Sequence, residues 1–208
     1  MAQSTGFLGG TFNPIHNGHL LLAEEARAQF ELDEVLFVPN HTPPHRQENN
    51  DWLLDGQTRF LMTVLATLHN PAFRVSGIEL ARGGVSYTVD TAEALRKERP
   101  SDRLYFICGA DSLTEHHWHR FEDLMELLDG VLVSSRSTEQ FEKAYDRLKA
   151  HSPKTAGKLR EIQMPAVDIS SSDIRRRLSA GRSIRYLVPE AVDTYISRYR
   201  LYAEVRQT

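Results

Sequence analysis

Two histidines, His16 and His19, stand three positions apart in the run GGTFNPIHNGHL at residues 9–20. At that spacing two imidazoles can share one side of a helix turn. Gly9, Gly10 and Thr11 end a short apolar run, and a helix is expected to open near Gly18. Backbone without Cβ atoms lets a ligand approach closely. A helix N-terminus offers N–H groups and the positive end of a dipole to an anion. Imidazoles beside such a turn suit a phosphate. The run matches neither GxGxxG nor GxxxxGK[ST], so a dinucleotide-reductase or P-loop reading has no support. Two alternatives stay open: a structural turn with a surface histidine pair, and a two-histidine metal site that lacks an obvious third ligand.

Four other stretches carry chemistry. Ser170, Ser171, Ser172 and Asp173 read as a helix start with hydroxyls and backbone donors, and Arg175 lies one turn inside it. That is a second anion site or simply a capping box. Arg176 and Arg177 point elsewhere on the helix and read as solvated or salt-bridged. Asp111 follows the apolar run 104–108, at a strand's carboxyl end, either at a site's rim or as a helix N-cap. Trp118 sits in the polar setting HHWHR, where an indole offers a stacking face or packs under its loop. Ser86, Tyr87 and Thr88 precede a charged helix-like segment, as its entrance or as a donor site.

These residues need a frame. Apolar runs at 6–8, 35–38, 73–75, 104–108 and 131–133, with a weaker one at 159–164, alternate with helix-like segments at 19–30, 57–68, 91–99, 121–128 and 138–150. Several runs lack polar alternation, as strands covered on both faces do. The expected fold is α/β, a doubly wound, mostly parallel, Rossmann-like sheet. On 57–68, Leu61, Val64, Leu65 and Leu68 fall on one face; on 121–128, Phe121, Leu124, Met125 and Leu128 do. Segments 173–179 and 189–199 have no strand between them, with Pro189 suited to a first helical position and Val192, Tyr195, Ile196 and Tyr199 facing inward. Residues 1–208 are therefore expected to form one domain in which 169–208 are a helical cap.

Composition narrows the setting. Hydrophobic residues make up 40% and charged ones 25%, as in soluble globular domains. A net charge of −3 argues against a broad nucleic-acid surface. One cysteine, Cys108 in LYFIC, excludes an internal disulfide and reads as a buried, inert thiol. No apolar run reaches the roughly 18 residues of a membrane span, and MAQSTGFLGG has neither a basic nor an apolar leader region. The expected setting is cytoplasmic. A homo-oligomer stays open, since amphipathic faces serve a core or a partner equally.

HxGH after a first strand resembles the signature of the nucleotidyltransferase superfamily. HTPPHR (41–46), ELARGGVSYTVDT (79–91), ICGADSL (107–113), HHWHRFEDL (116–124), ISSSDIRRRL (169–178) and YLVPEAVDTYI (186–196) narrow the resemblance to bacterial nicotinate-nucleotide adenylyltransferases. Lysine is common in that family where Arg46 stands, and threonine where Ser172 stands; both differences keep the chemistry. The resemblance implies AMP transfer from ATP, with Mg²⁺, to nicotinate mononucleotide. It implies ATP contacts at Gly9, Gly10, Thr11, Phe12, His16, His19, Ile169, Ser171, Ser172 and Arg175. It implies mononucleotide contacts at Thr11, His45, Arg46, Ser86, Tyr87, Thr88, Asp111 and Trp118. His16, His19, Arg46 and Arg175 would carry the catalysis, with His19 at the α-phosphate, Trp118 stacked on the pyridine ring and Asp111 on a ribose. No metal role is implied for His116, His117 or His119. Pantetheine-phosphate adenylyltransferases and cytidylyltransferases share HxGH but lack the SYT and HHW stretches. A preference for the nicotinamide mononucleotide, or a non-catalytic nucleotide-binding role, are the other readings. Adenylyl transfer needs no covalent enzyme nucleophile, so positioning and charge neutralisation can carry it.

Overall fold

Each of the six apolar runs forms a strand in the computed structural model, which describes residues 2–43, 52–115, 118–135, 138–151, 153 and 155–203. The strands are β1 (Ser4–Gly10), β2 (Glu34–Pro39), β3 (Phe73–Val75), β4 (Arg103–Gly109), β5 (Gly130–Ser134) and β6 (Leu159–Ile162). They lie in the order β3-β2-β1-β4-β5-β6. Every pairing is parallel, one step beyond the mostly parallel sheet expected.

The sheet separates two apolar cores by the two-residue period of a strand. Leu8, Val35, Phe37, Ile107 and Leu132 face one core. Their chain neighbours Phe7, Leu36, Val38, Phe106, Val131 and Val133 face the other. Burial on both faces is why these runs read as continuous apolar stretches.

Among the described residues, nine α-helices cover the two faces: α1 (Asn17–Gln29), α2 (Gly56–Thr67), α3 (Ile78–Arg82), α4 (Thr88–Glu98), α5 (Ala110–Glu115), α6 (Phe121–Leu127), α7 (Thr138–His151), α8 (Ser171–Ser179) and α9 (Glu190–Tyr199). The stripe of α6 is inward as expected, with Leu124, Met125 and Leu128 buried. Helices α3 and α5 have five and six residues, too short to show a helical period. Helix α4 begins at Thr88 rather than Thr91, because Tyr87 takes the extended N-cap conformation.

The face expected on α2 is wrong. Leu61 and Leu68 are 41% and 62% exposed, while Arg59, Met62, Thr63, Ala66 and Thr67 are buried. The polar residues can turn inward because their groups are satisfied locally. Thr63 Oγ1 donates to the Arg59 carbonyl at 2.8 Å, and Thr67 Oγ1 to the Thr63 carbonyl at 3.0 Å. On α9, Val192 and Ile196 are buried but Tyr199 is 63% exposed, and Pro189 is the N-cap rather than the first helical residue.

The topology opens the site. From β1 the chain builds β2 and β3 on one side, then crosses to β4 on the other. Connections leave the carboxyl ends of β1 and β4 in opposite directions, and ligands bind in the crevice so formed. Ile174, Ile184, Val188, Val192, Ile196 and Tyr202 join the same core as Leu8 and Phe37. That burial holds the C-terminal helices against the crevice's edge.

Exchanging one apolar residue on each face of α2 tests its orientation. Leu61→Gln should shift the unfolding free energy by less than about 0.5 kcal/mol. Met62→Ala should cost about 2–5 kcal/mol. Urea denaturation of both variants gives the comparison, and equal costs would mean the helix is rotated.

Candidate active site

The site begins where β1 ends. Residues 11–16 turn the chain from Gly10 into α1, whose N-cap is His16 in extended conformation. A Cβ on Gly18 would lie 3.1 Å from His16 Nδ1, so this position must stay bare for the ring to lie where it does. A Cβ on Gly10 would sit 2.8 Å from the Phe12 ring. Phe12 has a left-handed φ of 47° and a buried ring edge-on to His19, with centroids 5.1 Å apart. It supports His19 from the core.

The two imidazoles stack, 3.7 Å between centroids and 23° between planes. The His16 N–H donates to His19 Nδ1 at 3.2 Å. A backbone N–H can only donate, so Nδ1 carries no proton and Nε2–H is the donor of His19. His16 is 7% exposed, and its buried Nδ1 has no hydrogen-bond partner among the described residues. Burial holds the His16 pKa down at about 4. Burial first, and then the neighbouring His16, hold His19 well below its ordinary value, although part of its ring reaches the cavity. Both are neutral at pH 7.

The second helix start abuts this turn. Ser170 Oγ accepts from the Asp173 N–H at 3.1 Å and caps α8. Ser171 Oγ donates to the Pro14 carbonyl at 2.8 Å. Arg175 folds back along the helix, donating to the Asn13 carbonyl at 2.7 Å and to Ser172 Oγ at 3.1 Å. Ile169 lies against Gly18, 3.9 Å from where a Cβ there would be. Arg176 and Arg177 pair with Asp173, as expected. The Asn17 N–H of α1 is not free for an anion, since it donates to the Leu187 carbonyl at 2.9 Å.

A cavity of about 730 Å³ lies beside the histidine pair, along the carboxyl ends of β1, β2 and β4. Gly9, Gly10, Thr11 and His19 line one end. Ser86, Tyr87, Thr88, Trp118 and His119 line the other. Trp118 Nε1 donates to the Ser112 carbonyl at 3.1 Å, and its ring meets Phe106 edge-on with centroids 5.6 Å apart. At the start of α4 the N-cap residue, Tyr87, makes no side-chain cap hydrogen bond. That end of the cavity therefore carries backbone donors and a helix dipole suited to a carboxylate. Cys108 is buried on the wall, and burial pushes its thiol up, in keeping with an inert group.

Several residues were not legible beforehand. Glu79 is buried on the cavity wall and accepts from Thr91 Oγ1 at 2.5 Å. Burial pushes its carboxyl up, against hydrogen bonds from Thr91 and Ser86. Asn40 lines the cavity and donates to Thr11 Oγ1 at 3.0 Å. Arg59 lies behind both. His119, read only as a loop residue, lines the cavity with its ring 4.3 Å from that of Tyr87. An acid or arginine in an ordinary helix gives no sign of such partners. Asp111 lies on α5, directly after β4. His45, Arg46, His116 and His117 lie outside the described residues. Among the described residues no three His, Cys, Asp or Glu side chains gather as a metal site, and no helix is long and apolar enough to cross a membrane.

The histidine pair sets a pH dependence. A group harder to protonate folded than unfolded costs stability as pH falls below its unfolded value. For His16 the window runs from 6.5 down to about 4. Within it, stability should fall by up to about 1.4 kcal/mol per pH unit for each histidine. His16→Asn should flatten that slope in thermal or urea unfolding. Identical slopes in parent and variant would show that His16 is not held neutral.

Comparison with known proteins agrees with this geometry. The family model described as Cytidylyltransferase-like matches residues 7–177. A Frankia alni protein named probable nicotinate-nucleotide adenylyltransferase is 45% identical over 196 residues, covering 94% of this chain and 98% of that one. One of the same name from Thermoanaerobacter sp. is 40% identical over 199 residues, covering 95% and 93%. Plasmodium falciparum nicotinic acid mononucleotide adenylyltransferase, solved in complex with NaAD, matches with a TM-score of 0.75 over 96% of this chain and 97% of that one. At 18% identity that last likeness speaks for the fold alone. The chain therefore belongs to the cytidylyltransferase-like family, among the nicotinate-nucleotide adenylyltransferases.

Proposed function

We propose that the chain transfers AMP from ATP to nicotinate mononucleotide, giving nicotinate adenine dinucleotide and pyrophosphate in NAD biosynthesis. One observation carries the reading. A neutral His19 with Nε2–H as its donor and the start of α4 share a single cavity. One end suits a reacting phosphate, the other a pyridine carboxylate.

In this reading ATP lies along Gly9, Gly10, Thr11 and the backbone of Phe12, against His16 and His19. The start of α8, with Ile169, Ser171, Ser172 and Arg175, meets its β- and γ-phosphates. The mononucleotide's carboxylate takes the N–H groups near Ser86, Tyr87 and Thr88, its ring lies on Trp118, and Asp111 holds a ribose hydroxyl. Its phosphate is gathered by His45 and Arg46 beside Thr11. A phosphate oxygen of the mononucleotide attacks the α-phosphorus as the bond to the β-phosphate oxygen breaks. Pyrophosphate leaves with the electron pair. His19 Nε2–H donates to the α-phosphate oxygens, where charge concentrates in the transition state. Arg175 and the start of α8 hold the leaving group. Mg²⁺ bound together with ATP would supply screening of the triphosphate charge. The chain acts as one domain with residues 169–208 as its cap, in the cytoplasm, with ATP and the mononucleotide rather than nucleic acid or membrane as its partners.

Pyrophosphate release with ATP and Mg²⁺ tests the reaction and its specificity together. The acid should be favoured over nicotinamide mononucleotide by roughly 10²-fold in kcat/KM, because an amide NH₂ would meet backbone N–H groups. Equal rates would discard the carboxylate site, and no release with either would discard the reaction. His19→Ala should lower kcat by about 10²–10³-fold in protein that still unfolds cooperatively. A near-normal kcat would remove His19 from the mechanism.

A further inference from the structure

Among the described residues the largest fully buried side chain is an arginine, Arg59, 1% exposed. It makes five hydrogen bonds. Nε donates to the Leu54 carbonyl at 3.0 Å. Nη1 donates to the Thr11 carbonyl at 2.7 Å and to Asn40 Oδ1 at 3.1 Å. Nη2 donates to the carbonyls of Asn40 at 2.7 Å and His41 at 3.2 Å. A guanidinium has five N–H groups, so each one is used. All five acceptors are neutral oxygens, and Arg59 forms no ion pair among the described residues.

The acceptors identify its work. Thr11 follows β1 at the phosphate end of the cavity. Asn40 and His41 follow β2, and the His41 N–H donates to Ser86 Oγ at 2.9 Å. Ser86 leads into the start of α4. The Asn40 side chain closes the loop by donating to Thr11 Oγ1 at 3.0 Å. One rigid planar fork thus fixes the strand ends that carry the two ends of the cavity. We infer that Arg59 is a positioning residue that sets the spacing between the triphosphate site and the carboxylate site, and hence the in-line approach of the two substrates. The inference rests on the AMP-transfer reading. Each substrate alone can follow its own end of a loosened cavity. Only a ligand that spans both ends, or the reaction itself, needs their separation fixed.

Arg59→Lys keeps the charge, but three donors cannot serve five acceptors. With a cooperatively unfolding variant, KM for ATP and for nicotinate mononucleotide should each stay within about threefold, while kcat falls roughly 10²-fold. Affinity for the dinucleotide product, which bridges both ends, should fall at least about tenfold. A loss of folded protein alone would lower kcat without changing dinucleotide affinity relative to that of either substrate. Unchanged kcat and dinucleotide affinity in folded Arg59→Lys would overturn the inference. If that variant does not fold, Asn40→Ala removes one acceptor and the Thr11 tether, and the same split is expected; its absence overturns the inference equally. Parent protein that releases no pyrophosphate would instead overturn the reaction on which the inference rests.

Discussion

A single side-chain amide pins the reactive turn to the rest of the molecule. Asn13 Nδ2 donates to the Trp52 carbonyl at 2.9 Å, and Asn13 Oδ1 accepts from the Leu54 N–H at 3.3 Å and from the Tyr202 hydroxyl at 2.7 Å. Its backbone carbonyl takes Arg175 at 2.7 Å. Parts of the chain far apart in sequence converge on one residue of a six-residue connection. The next residue's carbonyl takes Ser171, so the start of α8 is bound to the same connection. A short loop would ordinarily be among the softer parts of a fold. Here the connection between β1 and α1 has partners from α8 on its backbone, and from the segment before α2 and Tyr202 on the Asn13 side chain. The histidines inherit that rigidity because they follow directly.

Two of the groups converging there are cations with neutral partners, Arg59 buried and Arg175 half-buried. Arg59 and Arg175 donate to carbonyl, amide and hydroxyl oxygens, and burial lowers both. Guanidinium still keeps its proton at any working pH. Tyr202 stands between them, its phenol pushed far up by burial, so it remains a neutral donor to Asn13. Among the described residues no carboxylate pairs with either guanidinium. A chain with net charge −3 can attract polyanions at one place by leaving positive charge unpaired there and pairing it elsewhere. The surface does the pairing: Arg27 with Glu24, Arg120 with Glu93 and Asp123, and Arg176 and Arg177 with Asp173.

What the sequence disclosed and what it hid follow from the reach of each interaction. The strands were legible because each is buried on both faces, which writes an apolar run into consecutive residues. The glycines, both histidines and the capped start of α8 were legible because their chemistry is local. Arg59 was not, because its acceptors lie as far as 48 positions away, and nothing in GQTRFLMTVLAT distinguishes it from a solvent-facing arginine. The same helix misled for a related reason. A hydropathy stripe assumes that polar residues face out, but threonines bonded to the preceding turn and an arginine with five partners face in, leaving Leu61 and Leu68 outside. Glu79 was hidden likewise, its role depending on Thr91 and Ser86 across the start of α4.

The histidine pair shows how such packing constrains chemistry. A cationic His19 would need a proton on Nδ1, but Nδ1 faces the His16 N–H, which cannot reverse its dipole without breaking the N-cap geometry of α1. An anion beside the pair would favour protonation, yet the ring's second nitrogen is already committed and its neighbour stacks at 3.7 Å. Two stacked cations at that separation would repel strongly. His19 is thus confined to one neutral tautomer, a hydrogen-bond donor rather than a charge. That suits a group near a phosphorus centre where bonds form and break together, because it contributes a directed donor without holding the product through a full ion pair. The full charges belong to the arginines, whose guanidinium groups cannot give up a proton and can take no part in transferring one.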